Sequence, residues 1–194
     1  MKIEGSSIAF IVICTGLVFL MTPALAFFYG GLERRKNVIS TMMMSVVSLA
    51  LATVMWFAVG YSLSFSGDGN LIGDLGHAFF QGVSDSESTR GLTIPDSLFA
   101  VFQMMFSIIT VGILTGSVAG RMRFKPLLIF IVGWLLLVYY PFAHMVWDEG
   151  LLAQWGTIDF AGGDVVHITS GVSGLVLALV VGKRRDFNRL EYRP

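Results

Sequence analysis

The sequence predicts an all-α integral membrane protein with five transmembrane helices. Hydrophobic residues make up 55% of the 194-residue chain and charged residues only 13%, against about 25% charged residues in an ordinary soluble domain. Five apolar stretches each meet or approach the roughly 20 residues that a helix needs to cross a bilayer. Eleven of the thirteen lysines and arginines lie in three short clusters between these stretches. This pattern is typical of membrane topology and argues against nucleic-acid binding.

The predicted spans lie approximately at residues 7–29, 38–65, 98–120, 126–147 and 165–182. The longest connection, residues 66–97, is rich in glycine, serine and aspartate and predicts an extracellular loop with a short amphipathic piece around residues 77–81. We therefore expect one transmembrane domain over residues 1–194. Its odd number of spans is typical of one unit of a membrane protein built from inverted repeats.

The basic residues also predict the orientation of the spans. The clusters follow the first, third and fifth spans and comprise Arg34, Arg35, Lys36, Arg121, Arg123, Lys125, Lys183, Arg184, Arg185, Arg189 and Arg193. The opposite connections are acidic, with Arg90 as their only basic residue. Because basic connections stay in the cytoplasm, we expect the N-terminus outside and residue 194 inside the cytoplasmic membrane.

An alternative for the first span is a secretory signal peptide, since Ala24-Leu25-Ala26 resembles a cleavage site. The apolar run continues through Phe27 and Tyr29 into a basic cluster, which favours a membrane span.

Three aromatic residues within the spans admit two interpretations. Phe102 and Phe106 are four residues apart and share a helix face beside Gln103. Trp147 ends the fourth span, where a tryptophan commonly anchors the helix in the headgroup region. Packing and anchoring explain all three residues, and a cation–π contact at a pore mouth is the functional alternative for Trp147.

His167 is the clearest functional signal, because ionisable residues inside spans are costly and tend to face a cavity. A neutral imidazole both donates and accepts hydrogen bonds, so it can guide a small polar molecule without adding charge. For His144 we expect a structural, hydrogen-bonded role.

Other polar or small residues have structural explanations. Asp159 and Asp164 flank the start of the fifth span, where carboxylates cap free backbone amides. Gly112, Gly116 and Gly120 recur every four residues, which predicts close helix packing on one face.

The chain carries no motif typical of an enzyme. It offers no nucleophile paired with a base, no glycine-rich phosphate loop and no cluster of metal ligands. Its single cysteine, Cys14, lies in an apolar run without a partner. We predict neither catalysis nor a cofactor or metal.

Several segments, taken in order, resemble the ammonium transporter family (Amt/Mep/Rh), in particular its bacterial and archaeal members. The opening helices match it at Phe-Phe-Tyr-Gly-Gly-Leu, Arg-Lys-Asn-Val, and Trp followed by Gly-Tyr-Ser-Leu, which are residues 27–32, 35–38, 56 and 60–63. Ala-His-Met-Val-Trp, Asp-Phe-Ala-Gly-Gly and Val-Val-His-Ile are more specific, and Gly-Lys-Arg closes the block; these are residues 143–147, 159–163, 165–168 and 182–184.

This resemblance implies a homotrimer of eleven-helix subunits, each with a pore between two inverted five-helix halves. The chain would supply helices 1–5, the first inverted repeat. It implies transport of ammonium or ammonia across the cytoplasmic membrane and, commonly, a cytoplasmic nitrogen-signalling regulator. The lipid bilayer is the other expected partner, and nucleic acid is not expected.

The resemblance also implies roles for five residues. Phe102 and Trp147 would bind ammonium at an outer site, and Phe106 would be one of two pore-gating phenyl rings. His167 would line the pore as the first of two paired histidines, and Asp159 would support the outer site. Ammonium would be recruited as a cation and deprotonated before conduction. The reason is that moving a bare cation from water into an apolar pore costs several kcal/mol of free energy.

The resemblance leaves alternatives open, and the sequence departs from the family at the outer rim. The second phenyl ring, the second histidine and a recruitment-site serine belong to the family's later helices, so the chain is either truncated or a half-length product that pairs with another half. Asp164 and Asp148-Glu149 make the outer rim more acidic than in many members. An ammonium sensor on the same fold, or an unrelated five-helix channel, would share this topology.

Overall fold

The computed structural model of the protein describes residues 2–184, and helices dominate that range. Five of its helices are long and apolar enough to cross a membrane: α1 (Gly5–Gly31), α2 (Val38–Phe65), α3 (Asp96–Val118), α4 (Phe124–Gln154) and α5 (Gly163–Val181). No strand occurs within residues 2–184. The all-α membrane fold predicted from the sequence is therefore confirmed. Arg185, Arg189 and Arg193, which contributed to the predicted orientation, lie outside the described residues.

Three of these helices contain π-helical turns. In α2 the turn is Trp56–Gly60, in α4 it is Leu135–Tyr139, and α5 begins with Gly163–Ile168. A π-turn inserts an extra residue into a helix and is frequent at functional sites. In α4 the regular helix ends at Trp147, and a short turn, Leu151–Gln154, completes the segment.

Aromatic side chains pack α2 against α3 and α4. Trp56 is 1% exposed and meets Tyr61 and Tyr140 edge to face, with ring centroids 6.2 and 5.9 Å away. Its indole Nε1 donates to the carbonyl of Ala100 at 3.1 Å, which satisfies the polar atom of a buried tryptophan. A Cβ at Gly60 would lie 2.7 Å from the Tyr140 hydroxyl, so glycine is required for this contact.

The glycines of α3 receive α1. A Cβ at Gly112 would lie 3.6 Å from Thr22, and the Tyr29 ring fills the space beside Gly116. The Tyr29 hydroxyl donates to the carbonyl of Ile113 at 3.2 Å. The prediction that Gly120 shares this helix face is wrong, because α3 ends at Val118 and Gly120 turns the chain at φ +67°.

A buried histidine joins the ends of α2 and α4. His144 is fully buried, and its two ring nitrogens lie 3.2 Å from the carbonyl oxygen of Ser64 and 2.5 Å from that of Gly69. Its Nδ1 is also 3.4 Å from the carboxylate of Asp148. The expectation that His144 is a hydrogen-bonded structural residue is confirmed.

At the opposite end of the bundle, an ion pair joins the connection after α1 to the segment after α5. Arg184 contacts Glu33 at 2.8 Å, and the Glu33 carboxylate is almost fully buried. Arg121 also donates to the carbonyl of Gly182 at 3.4 Å. The described basic residues that follow the first, third and fifth spans therefore lie at one end of the molecule.

Candidate functional site

An aromatic cavity of about 330 Å³ lies where α3 begins, α4 ends and the chain enters α5. We call it the aromatic cavity. Its lining consists of Phe65, Phe99, Phe102, Gln103, Phe106, Trp147, Asp159, Phe160, Ala161 and Gly162. It thus brings together four of the five residues predicted from the sequence, and no lysine or arginine is among the lining residues.

Three rings of the aromatic cavity contact one another in series. Phe102 and Phe106 are one helical turn apart on α3, with centroids 5.0 Å apart and planes at 88°. Phe106 in turn meets Trp147 at 6.1 Å and 72°. Aromatic faces carry negative electrostatic potential, so rings around a cavity attract a cation by about 0.5–2 kcal/mol each, depending on desolvation.

Asp159 organises the backbone where the chain enters α5. Its carboxylate accepts amide hydrogens from Gly163, Asp164 and Val165 at 2.7, 3.2 and 3.0 Å. These amides belong to the first turn of α5 and have no partner within the helix. The side chain that caps the helix is therefore Asp159, as the sequence suggested. The expectation that the Asp164 carboxylate also caps is wrong, because Asp164 lies within the first turn and supplies one of the capped amides.

Gly162 makes the turn between Asp159 and α5. It adopts φ +81°, a left-handed conformation that favours glycine. A Cβ at this position would also lie 3.0 Å from the side chain of Val166. Gly162 thus allows the Asp159 carboxylate to fold back over the helix end.

Gln103 is a lining residue that the sequence analysis noted only as a neighbour of Phe102 and Phe106. Its side-chain oxygen Oε1 is inaccessible to solvent and has no hydrogen-bond partner among residues 2–184. A carbonyl oxygen accepts hydrogen bonds, so a rotation of the side chain that opens Oε1 to the cavity would place an unpaired acceptor beside a guest. Its position between two aromatic candidates was the available signal. Phe65 was missed because it lies far from Phe102 in the sequence. For Phe99 a signal was available, since Phe99, Phe102 and Phe106 have the i, i+3, i+7 spacing of one helix face.

His167 does not line the aromatic cavity. It belongs to the π-helical turn of α5, where its amide donates to the carbonyl of Gly162 at 3.0 Å. Its side chain is exposed in the described chain, and the same helix exposes Val172, Leu175 and Leu179. His167 therefore lies further along α5, on a helix with an unpartnered apolar surface.

No metal centre is evident in the described part of the chain. Among residues 2–184, no three histidine, cysteine, aspartate or glutamate side chains form a group that could hold an ion. The aromatic faces of the aromatic cavity can attract a cation.

Comparison with known proteins identifies consistent relatives. A family model described as the Ammonium Transporter Family matches residues 9–193. An ammonium transporter of Bacillus subtilis is 50% identical over 177 residues, covering 91% of this chain and 44% of its own length. The crystal structure of Saccharomyces cerevisiae Mep2 superposes with a TM-score of 0.85 at 37% identity, covering 94% of this chain and 42% of that one.

A third relative is a solved structure described as a Sensor Amt Protein. It superposes with a TM-score of 0.81 at 28% identity and covers 92% of this chain and 45% of its own. The chain thus spans less than half the length of each of these relatives.

Proposed function

Since the chain belongs to the ammonium transporter family, we propose that it supplies the first half of a pore that conducts ammonia after recruiting ammonium at the aromatic cavity. The family consists of transport proteins rather than enzymes, and the chain is a multi-pass membrane protein with the first five helices of the fold. The remaining half, the pore and the transported species are parts of the proposal.

The observation that carries this proposal is the convergence of Phe102, Phe106 and Trp147 on one cavity that no basic side chain lines. Such a site attracts a small cation through ring faces. The Oε1 atom of Gln103 is a carbonyl acceptor without a hydrogen-bond partner among the described residues, and we propose that it turns toward the bound ion. Ammonium matches both requirements, because it is a compact cation with four N–H donors.

Conduction past Phe106 requires loss of the charge. Moving a bare ammonium ion from water into an apolar passage costs several kcal/mol of free energy, whereas moving neutral ammonia does not. We propose that Phe106 gates the passage and that His167 lines it further along α5, where a second half covers the exposed apolar face. The proton is released to water at the cavity before this step, and a neutral imidazole there hydrogen-bonds to the ammonia that passes.

The assembly and orientation complete the proposal. We infer that the subunits form a homotrimer in the cytoplasmic membrane, with the aromatic cavity outside and the basic end inside. The acidic character of the connections around the aromatic cavity and the basic character of the opposite end support this orientation. A cytoplasmic nitrogen-signalling regulator would dock at the basic end.

A second candidate is an ammonium sensor that binds the ion and reports it without conduction. It is favoured by the structural likeness to the Sensor Amt Protein. The two functions share the aromatic cavity and differ in whether substrate crosses the membrane.

Uptake of radiolabelled methylammonium by cells that lack their own transporters tests the proposal, using the complete protein that contains this chain. Trp147→Ala should raise KM, by up to about 30-fold if a desolvated contact of about 2 kcal/mol is lost. His167→Ala should reduce the maximal rate instead, because the histidine acts after recruitment. Phe106→Ala should change the rate through the gate.

Two matched variants serve as controls. Phe10→Ala removes an exposed ring from α1, and His77→Ala removes an imidazole from the 66–95 connection. Both should transport like the parent. Parental uptake in both Trp147→Ala and His167→Ala would overturn the site assignment. Binding without uptake in the parent would favour the sensor.

A further inference from the structure

Arg90 places a fixed positive charge against two rings that line the aromatic cavity. Its guanidinium carbon is 5.0 Å from the ring centroid of Phe65 and 5.0 Å from that of Phe99. The two rings meet edge to face at 5.1 Å and 79°. The Nη1 group of Arg90 also donates to the carbonyl of Phe65 at 2.9 Å. The guanidinium is thus held by a two-sided aromatic cage and a backbone acceptor.

Asp148 balances this charge. The Nη2 group of Arg90 forms a hydrogen-bonded ion pair with Asp148, and the two side chains are only 22% and 12% exposed. The second carboxylate oxygen of Asp148 is 3.4 Å from Nδ1 of His144, which is itself held by buried backbone carbonyls. Arg90 therefore ties the connection before α3 to a rigid end of α4.

The guanidinium of Arg90 stays charged despite its partial burial. Burial lowers the pKa of Arg90 below its ordinary value, and nearby Tyr61, Asp96 and Glu149 raise it in opposition. A guanidinium remains protonated at all physiological pH values. The contacts of Arg90 are accordingly those of a permanent cation in a partly desolvated place.

These contacts reach three walls of the aromatic cavity. Phe65 and Phe99 line it and touch Arg90 directly, and Trp147 lines it and immediately precedes Asp148 in the chain. Arg90 itself is not a lining residue. Its influence on a guest must act through these rings and through its charge.

We propose that Arg90 is a positioning residue for cation recruitment: it fixes Phe65, Phe99 and Trp147 around the aromatic cavity, while Asp148 cancels its charge there. The pairing matters because an unbalanced guanidinium beside the cavity would repel the cation that the rings attract. The transport part of this inference rests on the proposed function.

Two measurements on the complete protein test it. The first is the concentration dependence of methylammonium uptake. The second is acrylamide quenching of tryptophan fluorescence in a Trp155→Phe background. Trp56 and Trp134 are 1% and 4% exposed, whereas Trp155 is 73% exposed. Its removal, together with replacement of every tryptophan that the complete protein has outside this chain, leaves Trp147 as the partly exposed tryptophan, so quenching then reports on Trp147.

Arg90→Gln leaves the Asp148 carboxylate unbalanced, which attracts a cation at low ionic strength, so the comparison is made at high salt. There it should raise KM by about threefold to tenfold with a nearly unchanged maximal rate, as expected for loss of aligned cation–π contacts. It should also increase the quenching of Trp147. Arg90→Lys, which keeps the charge without the planar fork, should fall between Arg90→Gln and the parent. Arg123→Gln, an exposed arginine at the other end of the bundle, is the matched control and should change neither measurement.

Asp148→Asn tests the charge separately. It leaves Arg90 unbalanced, so KM should rise at low ionic strength and fall again as salt screens the repulsion. The double variant Arg90→Gln/Asp148→Asn should lose this salt dependence. The control for Asp148→Asn is Asp85→Asn, which replaces an exposed carboxylate by a carboxamide in the same connection as Arg90.

The outcomes separate this inference from the proposed function. A parent that transports, with parental KM and quenching in both Arg90→Gln and Asp148→Asn, would overturn the role of Arg90. A rate loss at constant KM would make Arg90 only a structural link. If Arg90→Gln does not fold, Arg90→Lys and Asp148→Asn decide by the same criteria. A parent that does not transport refutes the proposed function, and quenching alone then decides whether Arg90 positions Trp147.

Discussion

Replacing Asp159 by alanine should loosen the start of α5 and, through it, the aromatic cavity. The carboxylate accepts three amide hydrogens at 2.7, 3.2 and 3.0 Å, and none of those amides has an intrahelical acceptor. Replacing a capping residue by alanine costs about 0.5–2 kcal/mol. Because Asp159 accepts three bonds but remains partly exposed, we expect a loss of about 1–2 kcal/mol.

The functional consequence follows from the position of Asp159 in the lining of the cavity. Fraying of the first turn of α5 would move Phe160 and Gly162, which are also lining residues. A change of 1.4 kcal/mol is a factor of ten in affinity, so we expect KM for methylammonium to rise by about threefold to tenfold. Asp159→Asn keeps one acceptor oxygen and should give an intermediate value.

Thermal unfolding of the purified complete protein in detergent measures the first effect, and uptake kinetics measure the second. The matched control is Asp164→Ala, which removes a neighbouring carboxylate whose residue contributes a backbone donor rather than an acceptor to the cap. Its unfolding temperature and KM should stay close to those of the parent. Equal effects of Asp159→Ala and Asp164→Ala, or parental values for Asp159→Ala, would refute the capping argument.

Two further predictions concern packing and pH. Gly116→Ala should lower stability by about 1–3 kcal/mol in thermal unfolding, because a Cβ there would lie 2.6 Å from the hydroxyl of Tyr29. Gly112→Ala on the same face has room and should be neutral or slightly stabilising; equal losses would contradict the steric argument. The pKa of Asp74 is lowered below its ordinary 3.8, mainly because Ser66 donates a hydrogen bond to the Asp74 carboxylate. The ionised carboxylate therefore stabilises the folded 66–95 connection at pH values above 3.8. This stabilisation should disappear as the pH falls through the lowered pKa. Cleavage of the connection by a protease should then become faster in the parent. In Asp74→Asn the cleavage rate should vary less with pH.

The exposed apolar face of α5 supports the proposal that this chain packs against a second half. Leu175 and Leu179 are 62% and 73% exposed on α5, and His167 is exposed on the same helix. In the proposed complete protein this surface meets the second half, so that His167 faces a passage between the halves. The same exposure would be expected against lipid, and the uptake of His167→Ala decides between the two.

Hydropathy and charge by themselves determined the number and approximate positions of the five helices. Crossing a bilayer demands long apolar stretches whatever the helices pack against, so this property is local in the sequence. Residues such as His144 and Asp159 could also be assigned structural tasks, because a buried imidazole and a carboxylate near a helix start have few other uses. The order of motifs from residue 27 to residue 184 indicated the family.

The tertiary structure alone decided which residues meet. Arg90 lies 58 positions before its partner Asp148, and nothing in the local pattern of either residue indicates the other. The aromatic cavity likewise joins Phe65, Phe99 and Trp147 from three helices. Gly120 does not lie on the helix face predicted for it, because the residue at which a helix ends depends on the conformation of the following turn. Contacts between distant segments depend on the angles at which helices cross and on the positions of the π-turns, which rotate the helix faces. Hydropathy predicts neither of these properties.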